Sequence, residues 1–370
     1  MTWVAVLVAV ACLAYANGAN DNFKGVATLF GSGTTNYRGA LTWATITTMA
    51  GSLTAVFLAG TLLNNFSGKG LVDDALVANV NYCAAVALGA GLTVLIATRL
   101  GLPVSTTHGL VGSLVGAGWA AGSVISLDKL GTTFFLPLLV SPVLALVATV
   151  VLYQLCHFAR AQLGISERTC FCAGSETVEV SPVLDHVAAL QRMESLTIKV
   201  GTAITCQRRY EGRMLGIDAG TVLNQFHYFS AGVVSFARGL NDTPKIAALL
   251  LLAPQLGSFG STALVGVLIA VGGILSARGV AETMSQKISL MNHGQGFTAN
   301  LITGLIVILA SRFGMPVSTT HVSCGALFGI GASTGRAQYG MIAKILVAWV
   351  TTLPLGAALG AISFRLVGFI

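Results

Sequence analysis

Long apolar stretches alternate with short polar ones along most of the chain. Many of them reach the ~20 residues that an α-helix needs to cross the hydrocarbon core of a bilayer. The stretches are 2–31, 39–63, 80–100, 103–124 and 132–157 in the first half, and 221–254, 258–277, 296–313, 316–334 and 341–368 in the second. The pattern predicts an all-α polytopic membrane protein, with an N-terminal membrane repeat over 1–157 and a C-terminal membrane repeat over 219–370.

The segment 158–218 between the two halves is polar. Polar and apolar residues alternate over Glu176–Val180 and Ser195–Gly201, as they do in β-strands. Ala203–Tyr210 is a candidate third strand. We therefore expect a small β-containing insertion in the middle of the chain.

Three cysteines, Cys170, Cys172 and Cys206, lie in this insertion together with His186. They could form a metal site. Zinc ligands, however, usually come in pairs separated by two residues, and Cys170 and Cys172 are separated by only one. Free or redox-active thiols are therefore the favoured interpretation.

An odd number of spans in each half would place the two halves in opposite orientations. Most Lys and Arg residues outside the polar breaks described below fall in connections that would share one side of the membrane with segment 158–218. Because basic residues collect in cytoplasmic connections, the distribution predicts a cytoplasmic central segment and two external termini.

Polar residues interrupt the first apolar stretch of each half, and we expect them to break the helices at 17–21 and 238–242. The two interruptions share their residue types in the same order, 221 positions apart. Paired broken helices in corresponding positions point to the binding site of a transporter built from inverted repeats. The shared residues are Gly18, Asn20, Asp21 and Lys24 in the first half, and Gly239, Asn241, Asp242 and Lys245 in the second.

A second motif, Pro-Val-Ser-Thr-Thr-His, occurs at Pro103–His108 and again at Pro316–His321. Proline suits the first turn of a helix. Hydroxyl groups there, together with free backbone N–H groups and the positive end of the helix dipole, form an anion site. The two histidines could carry protons or simply hydrogen-bond to neighbouring backbone, and we favour the second role.

The composition excludes an ordinary soluble domain. Of the 370 residues 54% are hydrophobic and 9% charged, whereas soluble proteins carry about 25% charged residues. The net charge of +7 is explained by basic cytoplasmic connections, so we expect membrane lipid and no nucleic acid as a partner. The sequence has no Walker motif, which argues against ATP-driven transport by this chain.

Together, the Gly-Ala-Asn-Asp break, its Asn-Asp repeat and the doubled Pro-Val-Ser-Thr-Thr-His motif resemble the inorganic phosphate transporter (PiT) family. The segments Arg278–Ile288 and Gly314–Gly329 strengthen the resemblance, which covers both membrane halves but not the central segment. It implies a secondary transporter, not an enzyme, that is built from inverted repeats, moves inorganic phosphate across the cell inner or plasma membrane and is commonly coupled to sodium. Sulfate is the alternative substrate, and an anion channel or a receptor is the alternative class.

The residues of the two motifs are therefore the expected site. We expect no organic cofactor, with sodium as a candidate coupling ion and a homodimer as a candidate assembly. The expected phosphate-binding residues are Asn20, Lys24, Ser105, Thr106, Thr107, Asn241, Lys245, Ser318, Thr319 and Thr320, and the expected coupling-ion residues are Asp21 and Asp242.

Both repeats carry a lysine, Lys24 and Lys245, where the family usually has asparagine. Each lysine follows the aspartate of its own motif by three residues, on the same helix face. One hypothesis is that the two ammonium groups take the places of coupling cations, so that transport is linked to lysine protonation and depends on protons rather than sodium. The alternative is that they only pair with the aspartates while sodium binds elsewhere.

Overall fold

The computed structural model describes residues 2–166, 168–180, 191–210, 214–251, 256–288 and 291–368. They form two units. One, the membrane unit, combines Met1–Tyr153 with His227–Ile370, and the other, the β unit, is Gln154–Phe226. Residues of both predicted membrane repeats thus belong to the membrane unit, and the division into separate repeats stays a prediction.

Helices make up most of the described chain. Short 3-10 turns at Lys24–Val26 and Ala248–Leu250 and π-helical segments at Leu130–Phe135 and Thr283–Lys287 join some of them. The helices are α1 (Thr2–Asp21), α2 (Ala27–Gly31), α3 (Tyr37–Leu58), α4 (Gly60–Asn65), α5 (Asp74–Val77), α6 (Val80–Arg99), α7 (Thr106–Ala120), α8 (Leu127–Lys129), α9 (Leu136–Gln162), α10 (Ala203–Arg209), α11 (Ala219–Ala247), α12 (Gly257–Ser276), α13 (Arg278–Glu282), α14 (His293–Arg312), α15 (Thr319–Thr334) and α16 (Tyr339–Val367).

Seven helical stretches in the described chain are long and apolar enough to cross a membrane. This confirms a multi-pass membrane protein. The seven stretches are Trp3–Gly31, Tyr37–Leu58, Val80–Arg99, Leu127–Gln162, Gly257–Ser276, His293–Arg312 and Tyr339–Val367.

Three of the ten predicted apolar stretches contain none of these seven helices. Within 103–124 and 316–334 the helices α7 and α15 have only 15 and 16 residues. They are about 22 and 24 Å long at 1.5 Å per residue, less than the ~30 Å of the hydrocarbon core. Within 221–254, α11 is long enough but carries too many polar residues. The sidedness inferred from ten spans therefore stays a prediction.

The first predicted break is displaced. α1 continues through 17–21, and the chain leaves the helix only at Asn22 and Phe23. A Cβ added to Gly18 would lie 1.9 Å from the carbonyl oxygen of Ile269 in α12. Gly18 thus allows two helix backbones to approach closely rather than ending a helix.

The second predicted break does not exist. α11 runs unbroken from Ala219 to Ala247, through 238–242 and Pro244. Buried hydrogen bonds of its polar side chains, described below, outweigh the low helix propensity of Gly, Asn and Asp. Pro244 cannot donate to the carbonyl oxygen of Leu240 four residues earlier, so α11 lacks one backbone hydrogen bond there and nevertheless continues to Ala247.

Four glycines give the two halves matching contacts. A Cβ on Gly239 of α11 would lie 2.1 Å from the carbonyl oxygen of Thr48 in α3, just as Gly18 of α1 meets Ile269 of α12. In the reverse direction Gly51 of α3 meets the carbonyl oxygen of Phe236, and Gly272 of α12 meets that of Tyr15, each at 2.0 Å. The α1–α12 and α11–α3 contacts therefore correspond, 221 residues apart.

The close α11–α3 contact makes a prediction about stability. Gly239→Ala should destabilise the protein by about 1–3 kcal/mol, because its methyl group collides with backbone that cannot move aside alone. The measurement is the thermal unfolding midpoint in detergent. Gly260→Ala is the matched control, since its nearest neighbour, a Leu256 carbon, lies 3.8 Å away. Equal midpoints for both variants would contradict the described packing.

The apolar interior of the membrane unit contains separate buried clusters, two of which include residues near the polar end of α1. One buried cluster includes Leu13, Tyr82 and Leu110, from α1, α6 and α7. Another includes Phe23 and Met284 and extends to α14, α15 and α16. The polar end of α1 is therefore enclosed by packed apolar side chains.

The β unit contains a three-stranded antiparallel sheet of order β2-β1-β3, with β1 at Thr169–Val180, β2 at Gln191–Thr202 and β3 at Met214–Asp218. The first two predicted strands fall within β1 and β2. The third prediction, a strand at 203–210, is wrong because this segment contains helix α10. Thr202 and Thr205 form a capping box at its start, and such reciprocal hydrogen bonds favour a helix over a strand.

The cysteines of the β unit lie together. Cys172 and Cys206 form a disulfide, and Cys170 packs against them with Tyr210 in a buried cluster. The three sulfur atoms lie within 4.8 Å of one another. His186, the fourth candidate metal ligand, lies outside the described residues.

Candidate functional site

All the buried charged side chains in the described part of the chain, histidines aside, lie in one cluster of the membrane unit. They are Asp21, Lys24, Arg238, Asp242 and Lys245. Three cations and two anions leave one formal positive charge. Ionisable groups at membrane depth are costly and usually functional, so we take this cluster as the candidate site.

The ammonium group of Lys24 is surrounded by oxygen atoms. Its Nζ donates to Asn20 Oδ1 at 2.7 Å, to the carbonyl oxygen of Val104 at 2.8 Å and to Thr320 Oγ1 at 2.6 Å. It also forms an ion pair with Asp21. Lys24 therefore connects the end of α1 to the starts of both α7 and α15.

Lys245 repeats this arrangement from the other half. Its Nζ donates to the carbonyl oxygen of Val317 at 2.6 Å and to Thr107 Oγ1 at 2.8 Å, and it lies 3.5 Å from Asp242 Oδ1. Each lysine thus pairs with its own aspartate and donates to a threonine of the other half's Ser-Thr-Thr triplet.

Two asparagines hold the extended residues before the triplets. The Asn20 amide donates to Thr98 Oγ1 and to the carbonyl oxygen of Leu102, at 2.9 and 3.0 Å. The Asn241 amide donates to Thr319 Oγ1 at 3.1 Å and accepts from Ser311 at 3.2 Å. Thr98 and Ser311 are separated by the same 213 positions as the two triplets, and neither residue was among the predicted site residues.

Asn17 bridges the two aspartates. Its Nδ2 lies 3.0 Å from Asp21 Oδ2, 3.0 Å from Thr106 Oγ1 and 3.4 Å from Asp242 Oδ2. Asn17 is not among the site residues predicted from the two motifs. Its position four residues before Asp21, on the same helix face, is the signal that could have found it.

Arg238 contacts the site from α11. Its two terminal nitrogens donate to Asn17 Oδ1 and Asn22 Oδ1, each at 2.9 Å, and to Thr48 Oγ1 at 3.2 Å. Its Nε is buried without a hydrogen-bond partner among the described residues and lies 3.7 Å from Asp242 Oδ2. Arg238 thus provides both the surplus charge and an unused donor.

The helices α7 and α15 begin where the triplets predict. Ser105 Oγ accepts from the backbone N–H of His108, and Ser318 Oγ from that of His321, each at 3.2 Å. Both serines are therefore N-caps. Thr106 Oγ1 also lies 3.1 Å from Asp21 Oδ2, so the threonines rather than the serines face the charged cluster.

The two histidines lie behind the triplets. His108 Nδ1 is 3.2 Å from the carbonyl oxygen of Trp349, and His321 Nδ1 is 3.5 Å from that of Leu138. Their rings meet edge to face, with centroids 4.4 Å apart. These backbone contacts agree with the structural role that we favour for both residues.

All twelve predicted site residues are buried and lie in or beside this cluster. The division of those residues between phosphate and a coupling ion stays a prediction.

Known proteins resemble this chain along almost its whole length. Residues 17–360 match the phosphate transporter family, PHO4. A Pyrococcus furiosus protein named as a phosphate permease is 26% identical, with 95% of this chain and 93% of the relative covered. The chloroplastic inorganic phosphate transporter 2-1 of Arabidopsis thaliana is 27% identical, with 95% and 69% covered.

A solved structure described as "The sodium-dependent phosphate transporter" has the same fold, with a TM-score of 0.76, 21% identity, and 100% of this chain and 99% of that chain covered. The conserved fold, the family match over most of the chain and the multi-pass helices lead to one conclusion: this chain belongs to the phosphate transporter family.

Proposed function

We propose that this protein is a secondary active transporter that moves inorganic phosphate across the cell membrane by alternating access, coupled to a proton or sodium gradient. One observation carries the proposal. The starts of α7 and α15, each bearing threonine hydroxyls, converge on a buried cluster with one surplus positive charge.

Phosphate entering a membrane must exchange its water for other hydrogen-bond donors. The cluster supplies such donors in the Thr319 hydroxyl and the unpartnered Nε of Arg238. The Thr106 hydroxyl and the Asn17 amide, which donate to Asp21 in this structure, would turn to the anion when it binds. The N–H groups and the dipoles of the two helix starts add to the attraction of an anion. We place the phosphate among these groups.

The matched contacts support two inverted repeats. Lys24 donates to Thr320, and Lys245 donates to Thr107, as a two-fold axis between the halves would require. The glycine contacts of α1 with α12 and of α11 with α3 are exchanged between the halves in the same way. In this proposal the halves are 1–157 and 219–370, joined by the cytoplasmic segment 158–218.

The closed arrangement suggests how access could alternate. Aspartates and threonines of the site are at most 4% exposed, so no wide opening leads to them. The Lys24–Thr320 and Lys245–Thr107 hydrogen bonds are equivalent: each joins a lysine of one half to a threonine of the other half. Breaking one of them while the other persists would open the site on one side only.

Uptake of radiolabelled phosphate into proteoliposomes tests the function. The proposal expects uptake that saturates with phosphate, needs an imposed sodium or proton gradient to accumulate phosphate, and is little inhibited by sulfate. Uptake that rises without saturation would indicate an anion channel. Binding of phosphate without any uptake would indicate a receptor, and full competition by sulfate would indicate a sulfate transporter.

The proposed sidedness makes a second prediction. Lys199 is an exposed residue of β2, so a Lys199→Cys variant without the native cysteines should react with a membrane-impermeant maleimide only after the cells are opened. Leu127→Cys, an exposed position of α8, serves as the external control and should react in intact cells. Labelling of Lys199→Cys in intact cells would contradict a cytoplasmic central segment.

A further inference from the structure

The oxygen atoms around the two buried lysines resemble the ligands of a small cation. Lys24 Nζ is held by a carboxylate, an amide oxygen, a backbone carbonyl and a hydroxyl. Lys245 Nζ is held by a carboxylate, a backbone carbonyl and a hydroxyl. Backbone carbonyls and helix ends of this kind coordinate sodium in transporters. We call these two oxygen-lined sites the Lys24 cage and the Lys245 cage.

The donors of the two ammonium groups are already engaged. A lysine ammonium has three N–H donors, and at least three protein oxygens lie within 3.5 Å of each Nζ. The lysine side chains are at most 2% exposed. The ammonium groups therefore act on the protein's own oxygens, and a bound anion would find its donors elsewhere.

The charges of the cluster can be divided into two lysine–aspartate pairs and one remaining arginine. Asp21 pairs with Lys24, and Asp242 lies nearest to Lys245 and Arg238. If each lysine neutralises one aspartate, the positive charge left over is that of Arg238, whose Nε has no hydrogen-bond partner among the described residues. Both aspartates are then neutralised without a mobile cation.

We propose that Lys24 and Lys245 are covalently attached substitutes for coupling cations, so that this protein binds and transports phosphate without sodium. The inference rests on the proposed phosphate transport. Each ammonium group binds oxygen atoms at the starts of both α7 and α15 and pairs with the aspartate of its own half. A bound cation would hold these oxygen atoms together in the same way. The chain carries these cations permanently, one in each half.

The test compares phosphate uptake into proteoliposomes in sodium and in choline, at the same pH and ionic strength. The wild-type rate should differ by less than about twofold between the two salts, a difference of under about 0.4 kcal/mol. The Lys24→Asn, Lys245→Asn double variant lacks both ammonium groups, so sodium can enter the two cages. We expect its uptake to fall at least tenfold in choline and to recover in sodium. Lys344→Asn, an exposed lysine of α16, should behave as wild type in both salts.

Several outcomes would overturn the inference. A wild-type protein that transports phosphate only in sodium has a mobile coupling cation. A folded double variant that is inactive in both salts would show that the lysines are not replaceable by sodium. If the wild-type protein takes up no phosphate in sodium and none in choline, the result counts against the proposed function itself.

A binding measurement keeps the inference testable should the double variant fail to fold. Phosphate binding to the detergent-purified wild-type protein is followed by calorimetry while sodium is titrated against choline. The inference expects the same phosphate Kd throughout. A Kd that falls tenfold or more with sodium would overturn it.

Discussion

Replacing Thr106 with valine, or Thr319 with valine, should each lower the affinity for phosphate at least tenfold, which corresponds to about 1.4 kcal/mol. Valine keeps the shape of the side chain and removes only the hydroxyl. Thr106 sits beside Asp21 and Thr319 beside Asn241, at the starts of α7 and α15. Since both helix starts belong to one proposed site, the two losses should be similar, and the double variant should show almost no uptake.

The matched control is Thr351→Val. Thr351 is an exposed residue of α16 whose hydroxyl bonds only to backbone carbonyls of its own helix. The affinity of the Thr351→Val variant for phosphate should equal that of the wild type, as measured by calorimetry and by the KM of uptake. Normal affinity in either Thr106→Val or Thr319→Val would show that the site does not use both halves.

Replacing Arg238 with glutamine should reduce phosphate uptake by at least a hundredfold. The change removes the surplus positive charge and leaves Asp242 with one cation fewer in a buried setting. Breaking such a buried ion pair costs about 3–5 kcal/mol, so the variant should also unfold at a lower temperature. Arg238→Lys should fold better but still lose at least tenfold in affinity, because one ammonium cannot reach Asn17, Asn22 and Thr48 together.

The control for Arg238 is Arg278→Gln. Arg278 is 82% exposed at its side chain and pairs with Glu282 on the surface, and such pairs contribute little. Phosphate uptake by the Arg278→Gln variant and its unfolding midpoint should match those of the wild type. Wild-type uptake by a folded Arg238→Gln variant would refute the role given to the surplus charge.

The residues of the site could be predicted because they occur twice. The repeated Ser-Thr-Thr triplets, Asn-Asp pairs and lysines identify twelve of the residues that the fold brings together. The hydrogen-bond partners of these residues could not be predicted from the repeats. The carbonyl oxygens of Val104 and Val317, for example, are backbone atoms whose role depends on an extended conformation before each helix.

The helices were predicted less well where packing overrides local preference. Gly, Asn and Asp near residue 240 read as a helix break, yet α11 continues through them. A glycine at a close helix contact and a glycine at a break look identical in one sequence. The partner that distinguishes them, the backbone of Thr48 in α3, lies 191 residues before Gly239 in the chain.

The lengths of α7 and α15 show a similar limit. Apolar residues flank both Pro-Val-Ser-Thr-Thr-His motifs, so the hydropathy pattern extends across the extended residues before each helix. The helices themselves begin only after the N-cap serines. A capping signal therefore located the helix starts better than hydropathy located the spans.

Counterflow in proteoliposomes tests the central claim most directly. Vesicles are loaded with unlabelled phosphate, diluted, and given a trace of labelled phosphate outside. A carrier that exposes one phosphate site alternately to each side should accumulate label transiently above its equilibrium level, and Arg238→Gln vesicles should not. Labelled phosphate that rises to equilibrium without an overshoot in the wild type would contradict alternating access through this site.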